Sequence, residues 1–256
     1  MSEWKPKRFW QDVSISKVGD GHSILLDGQM VKTPAKVPLI LPTLKLAKAV
    51  AAEWNAQVEV VDPAAMPFTG AANAALDKVT VQFEEVAGLV SAYAETDLFC
   101  YRAESPCELV KRQKKAWDPM LNWSSEALDA PLNVAYGVMF VAQPEKSIKV
   151  FRSYVSKFNP FELTALYDLV GLSGSLVAGL AVVQGHETPE SVWDMCQIDE
   201  TWQKEQWGQD KIAEELTLGK RTKFLQAFNF YATLFKFRTR KKKNFTSSQN
   251  IFLLLI

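Results

Sequence analysis

Hydrophobic periodicity changes once along this chain, and that change decides its fold class. Between residues 10 and 41 apolar positions follow the two-residue repeat of half-buried strands, with Val13, Ile15 and Val18 and then Ile24 and Leu26. Asp27-Gly28 is a hairpin signal and Met30 to Thr33 reads as a returning strand. Pro34, Pro38 and Pro42 punctuate the next stretch. From Leu44 the repeat becomes helical, with Leu44, Ala47, Val50, Ala51 and Trp54 on one face up to Gln57. A second long helical pattern, from Ala71 to Thr96, carries Leu76, Val79, Phe83, Val86, Leu89, Val90 and Tyr93. Strands first and helices afterwards predict an α+β fold, a small N-terminal β-rich domain (1–95) followed by a larger α-helical domain (96–235).

The later half predicts helices in sequence. Ser105-Pro106 opens one, and its Asp118-Pro119 step is expected to kink or restart it, because proline fits best in a first turn. Residues 132–141 read as a short strand or an extended linker, followed by helices over 145–157, 160–184, 188–207 and 209–235. Leu169 to Val183 is uncharged over 15 residues, short of the roughly 20 that a bilayer requires, so it reads as a core helix. Gly171, Ser175 and Gly179 recur every fourth residue, a stripe where another backbone can come close.

Composition narrows function more than it names it. With 48% hydrophobic residues among 256, the chain builds a real core. Lys plus Arg and Asp plus Glu are both 29, but six of the basic residues lie after position 235 with no acid among them, leaving residues 1–235 with 23 basic against 29 acidic. A mildly acidic body argues against nucleic acid as a partner. Cys100, Cys107 and Cys196 have neither metal-ligand nor disulfide-framework spacing, so a reducing compartment is expected, with Cys100 and Cys107 as buried packing residues. The N-terminal segment reads as neither a signal nor a transit peptide, which predicts a cytoplasmic protein if bacterial. Residues 236–256 read as a basic and apolar tail, expected to be disordered, and its six terminal apolar residues give no firm membrane association.

Catalytic signatures are weak. Gly219-Lys220 is no Walker loop, and Gly171-Leu-Ser-Gly-Ser175 breaks the nucleophile-elbow order at its last position. His22, in an expected turn, and His186, in an expected loop, read as solvated, so no metal site, no cofactor and no catalytic residue is predicted. More pointed is the spacing of Trp193, Glu200 and Trp207: seven residues return a helix to nearly the same face, so Glu200 is expected beside two tryptophans. Such a carboxylate is either a paired structural group or a contact to a partner.

The ordered motifs Arg8-Phe9-Trp10, Leu26-Asp27-Gly28, Val31-Lys32-Thr33-Pro34, Glu53-Trp54, Thr96-Asp97-Leu98, Cys100-Tyr101-Arg102, Trp117-Asp118-Pro119, Leu172-Ser173-Gly174-Ser175, Asp199-Glu200 and Trp207-Gly208 span about residues 8–235. Together they resemble the ATP synthase alpha-subunit assembly chaperones of mitochondria and alphaproteobacteria. The resemblance implies a β-rich domain followed by a helical one, no enzymatic activity, and binding of the free alpha subunit in the cytoplasm or the mitochondrial matrix. It implies that Glu200, or its neighbour Asp199, is the functional acid and that Trp54 is structural; Trp193 and Trp207, by their spacing, are expected beside that acid at the client, and Trp117 and Gly174 are expected to be structural. The competing reading is a small-molecule hydrolase or transferase using Glu200 or Asp97.

Overall fold

The structure, a computed structural model, describes residues 7–208 and 210–235. The expected tail at 236–256 lies outside the described residues. The chain opens with an antiparallel sheet of β1 (Val13–Val18), β2 (Gly21–Leu26), β3 (Gln29–Met30) and β4 (Ile40–Leu41). β2 is its centre: β1 lies along one edge, while β3 and β4 share the other, opposite Leu25-Leu26 and His22-Ser23 respectively. Asp27 and Gly28 both take positive φ, as a tight hairpin demands. Asp27 is held there because its carboxylate accepts hydrogen bonds from the backbone N–H groups of Gln11 (3.0 Å) and Asp12 (2.8 Å). His22 lies within β2, not in a turn, because the turn is made by Gly19 and Asp20 just before it.

The buried face of this sheet, with Ile24, Leu26 and Leu41, packs on α1 (Leu44–Ala56) through Leu46, Ala47 and Val50. Each such side chain stabilises the fold by roughly 1.5–3 kcal/mol relative to exposure. Thr43 caps α1 through Leu46 N–H and also donates its hydroxyl proton to the Thr233 carbonyl, fixing the helix start against the far end of the chain. In the Glu-Trp motif the two residues divide the work. Glu53 accepts from Phe68 N–H, Thr69 N–H and the Thr69 hydroxyl at 2.7–2.8 Å, capping the next helix, while Trp54 packs edge-on against Trp10.

Several expected long helices are broken, each for a visible reason. The Ala71–Thr96 pattern is α2 (Pro67–Ala74), a wide π turn (Ala75–Val79) and α3 (Phe83–Ala92), parted where the Thr80 hydroxyl bonds back to the Ala75 carbonyl. The 160–184 helix is α6 (Pro160–Ser173) and α7 (Leu176–Val183), separated by Gly174 at φ +73° and a new cap from Ser175. The 188–207 helix is α8 (Pro189–Cys196) and α9 (Ile198–Trp207), parted at Gln197. By contrast α4 (Cys107–Leu128) is not restarted at Pro119 but continues through it. Lys115 and Pro119 are both exposed, so water can serve the carbonyl that the proline leaves unpaired. α5 (Glu145–Val155) and α10 (Lys211–Thr233) complete the helices, and β5 (Tyr101–Arg102) pairs in parallel with β6 (Ala135–Tyr136) inside the expected 132–141 stretch.

Two apolar cores result. The first joins the sheet and α1 to Ala72, and takes Ala165 of α6 and Phe230 of α10. The second gathers Val79, Ala87 and Val90 with Phe99, Trp117, Phe151, Leu166, Leu169, Leu180 and Trp193, so α3 packs with the later helices. The close approach expected of the glycine stripe occurs at Gly179 alone, where α7 folds back on α6: a Cβ there would lie 2.7 Å from Val170 Cγ2. Gly171 is exposed and Ser175 is a cap, because the stripe is split between two helices.

Gly179→Val is expected to cost about 1–3 kcal/mol of unfolding free energy by overpacking. Trp54→Arg, which places a cation against Trp10, is expected to cost about 2–4 kcal/mol. Urea titration checks both; a Trp54→Arg protein as stable as the parent contradicts this packing.

Candidate functional site

One surface combines a groove, aromatic walls and a run of exposed apolar side chains. It is built where β5 and β6 meet the first half of α4 and the length of α9. Arg102 of β5 anchors it: its Nε donates to the Phe99 carbonyl (2.9 Å), its Nη1 meets Asp118 at 3.0 Å, and its guanidinium lies 5.2 Å from the Trp117 ring centroid. Burial lowers the Arg102 pKa and the Asp118 carboxylate opposes that shift, keeping the cation in place. Trp117 in turn donates its indole N–H to the Met195 carbonyl (2.8 Å), locking α4 to α8.

Gln113 is the joint. Its carbonyl oxygen accepts from Ala103 N–H (2.8 Å) just after β5, and its amide donates to Asp199 Oδ1 (2.6 Å) on α9. Outside this joint, Arg112 pairs with Glu205 at 2.7 Å and stacks 4.8 Å from the Trp202 centroid. That pairing raises the Arg112 pKa and lowers that of Glu205. Asp199, Trp202, Gln203 and Gln206, spaced three and four apart, thus form the α9 wall of a groove of about 600 Å³. At its rim Val138 is 96% exposed, Met139 75% and Trp207 80%, with Tyr136 and Phe140 exposed beside them. Gly137, at φ +72° and bonded through its N–H to the Arg102 carbonyl, turns this apolar run outward.

The sequence-predicted acids and tryptophans are only partly brought together. Asp199 stands on the groove wall, and Glu200 is exposed outside it. Trp207 is at the rim, but Trp193 is 2% exposed, packed 5.5 Å from Phe224, and so offers no ring to a partner. The seven-residue argument fails because it assumed one helix, whereas the backbone break at Gln197 rotates α9 away from α8. Trp117 is fully buried, and Gly174 ends α6 in the left-handed region. Cys107, expected inside, is exposed at the start of α4, while Cys100 and Cys196 are buried. Burial pushes the Cys100 thiol up to about 12 and Cys196 up as well, so both remain protonated. His186 is exposed and stacks on Trp123, with ring centroids 4.7 Å apart. The exposed rim at residues 136–140 was missed; its signal was an apolar run, Val134-Ala-Tyr-Gly-Val-Met-Phe-Val141, too short and too aperiodic to bury itself.

Asp97 is a support, not part of the surface. It is fully buried, and its carboxylate accepts from Phe99 N–H (3.1 Å) and from Val177 N–H (3.0 Å) in the first turn of α7. Burial raises its pKa to about 6, with the Val177, Ser175 and Phe99 donors limiting the rise.

Residues 7–125 match the ATP12 chaperone protein family. The crystal structure of Atp12 from Paracoccus denitrificans is 43% identical, covers 91% of this chain and 100% of its own, and superposes with a TM-score of 0.88. An aspartate-to-lysine variant of the same protein gives 42% identity and a TM-score of 0.88 over the same shares of the two chains. The mitochondrial protein atp12 of Schizosaccharomyces pombe is 24% identical over 225 residues, 82% of this chain and 76% of that protein.

The raised pKa of Asp97 has a sign that experiment can read. The folded state binds the proton more tightly than the unfolded chain, so the stability that this confers is present near pH 4 and is lost as pH rises through about 6. Lowering pH from 7 to 4.5 is therefore expected to shift the unfolding free energy of the parent relative to Asp97→Asn by about 2 kcal/mol in the parent's favour. Urea unfolding across that range tests it; a pH-independent difference contradicts it.

Proposed function

The chain belongs to the ATP12 chaperone family, and from that premise we propose that it is an ATP-independent assembly chaperone of the F-type ATP synthase. Its client in this reading is the unassembled alpha subunit, whose interface it shields until the beta subunit replaces it. It is a chaperone and not an enzyme. The observation that carries the reading is the exposed rim of Tyr136, Val138, Met139, Phe140 and Trp207 around one groove. A contiguous apolar patch costs solubility unless a partner covers it, and a monomer retains one where a partner binds. Aromatic and Met side chains suit an interface that must release its client, since they pack well against surfaces of more than one shape.

The two carboxylates of the hydrolase reading do not support it. Asp97 has no solvent access, and Glu200 is exposed outside the groove. No described helix is long and apolar enough to cross a membrane. The reading places the chaperone in the bacterial cytoplasm or, for a eukaryotic counterpart such as the S. pombe relative, in mitochondria.

Replacing Val138 and Met139 together by Asp is expected to leave the melting temperature within about 2 °C, since both are solvated, and to cut recovery of alpha subunit in co-purification at least about tenfold. Undiminished recovery contradicts the rim as client surface. Glu200→Lys is likewise expected to stay folded while weakening client capture; a matching fall in melting temperature gives Glu200 a structural role instead.

A further inference from the structure

Resting on the client reading above, we propose that the groove between α4, α9 and β6 seats a basic side chain of the client, arginine in preference to lysine, with its cation on the Asp199 carboxylate. The groove lining contains two charged groups. Arg102 is already answered by Asp118 at 3.0 Å. Asp199 is not answered: it accepts a single side-chain hydrogen bond, from the neutral amide of Gln113 at 2.6 Å, and no cation lies within ion-pair distance of it among the described residues. Arg112 of α4 is held by Glu205 instead.

A half-buried carboxylate without a counter-charge is costly to maintain. Its place in the first turn of α9 eases that cost, since the helix N-terminus carries partial positive charge, but half a unit does not neutralise a whole one. The groove therefore presents one uncompensated negative charge. Around it stand Tyr101, Leu109, Val138, Trp202 and Trp207, aromatic and aliphatic surface along which the stem of a long basic side chain can lie. Arginine fits this chemistry best, because its planar guanidinium stacks on indole and bonds a carboxylate edge-on. The molecule uses the same pairing internally, with Arg112 over Trp202 and Arg102 over Trp117. About 600 Å³ leaves room for the side chain and for the extended backbone on either side of it. The assignment makes Asp199 the acid that lies within the groove, while Glu200 is exposed outside it.

The test titrates the full chain with three N-acetylated, C-amidated tripeptides, Leu-Arg-Leu, Leu-Lys-Leu and Leu-citrulline-Leu, followed by tryptophan fluorescence and indole N–H resonances. The arginine peptide is expected to bind at least about tenfold more tightly than the citrulline peptide, with lysine between them, and the advantage is expected to shrink with added salt. In Asp199→Asn, which keeps the acceptor for Gln113 and hence the fold, the arginine advantage is expected to vanish. Trp207→Ala, at an exposed position, is expected to weaken all three peptides and to flatten the indole response. Equal binding of arginine and citrulline, or an unchanged arginine advantage in Asp199→Asn, overturns the basic seat. If that happens while the Val138 and Met139 double variant still loses alpha subunit, the client surface stands and the seat alone is wrong; if the double variant keeps alpha subunit, the client reading itself is wrong.

Discussion

The fully enclosed carboxylate of Asp97 takes one backbone hydrogen bond from Val177 at the start of α7 and another from Phe99 two residues along, and the working face of the molecule is built outward from that tie. It fixes the short helical turn Leu98–Cys100, which delivers Arg102 to β5. Arg102 then holds Asp118 and the Trp117 ring, and Trp117 holds α8 through Met195. Gln113 closes the loop from Ala103 to Asp199 on α9. Each link is a polar contact with a named partner, anchored at the buried side chains of Asp97, Arg102 and Gln113, so loosening the first weakens the next.

A frame of this kind explains how the surface stays open. Exposed apolar side chains in a loop tend to fold inward and fill whatever space they find. Here β6 is paired to β5 through the Tyr101–Ala135 and Arg102–Tyr136 register, and the Gly137 N–H is bonded to the Arg102 carbonyl, so the backbone of the rim is committed before Val138 begins. The interior behind it is already filled by Phe99, Trp117 and Leu121. The rim therefore faces water, beside the groove whose α9 wall carries Asp199. A surface that is held ready in this way loses little entropy when a partner covers it.

The order of elements was legible in the sequence because it rests on period. Strands at 13–26, the Asp27-Gly28 hairpin and the helix through Leu46 and Val50 follow from alternation and turn chemistry alone. Helix continuity was not legible. Gly174 and Gln197 look like ordinary interior residues of apolar or amphipathic runs, and only tertiary packing turns them into breaks. The restart expected at Pro119 failed in the opposite sense, since its exposed side of α4 tolerates the missing hydrogen bond. The site inherits both errors. Trp193 was grouped with Glu200 and Trp207 by a helical wheel that the Gln197 break cancels, while the Asp199–Gln113 joint spans 86 residues and has no local signature. Aromatic content at Trp207 and acidity at Asp199-Glu200 drew attention to the helix that walls the groove. They could not say which acid would face the groove, because that depends on the rotation of α9 against α4.

In the proposed function the free alpha subunit covers the rim and groove built from residues 134–140 and 199–207. Backbone hydrogen exchange of the chain, alone and saturated with alpha subunit, measures this directly. Protection gained at those two segments, with β1 and β2 unchanged, is the expected result. Protection confined to the sheet, or none anywhere on a complex that demonstrably forms, contradicts the account.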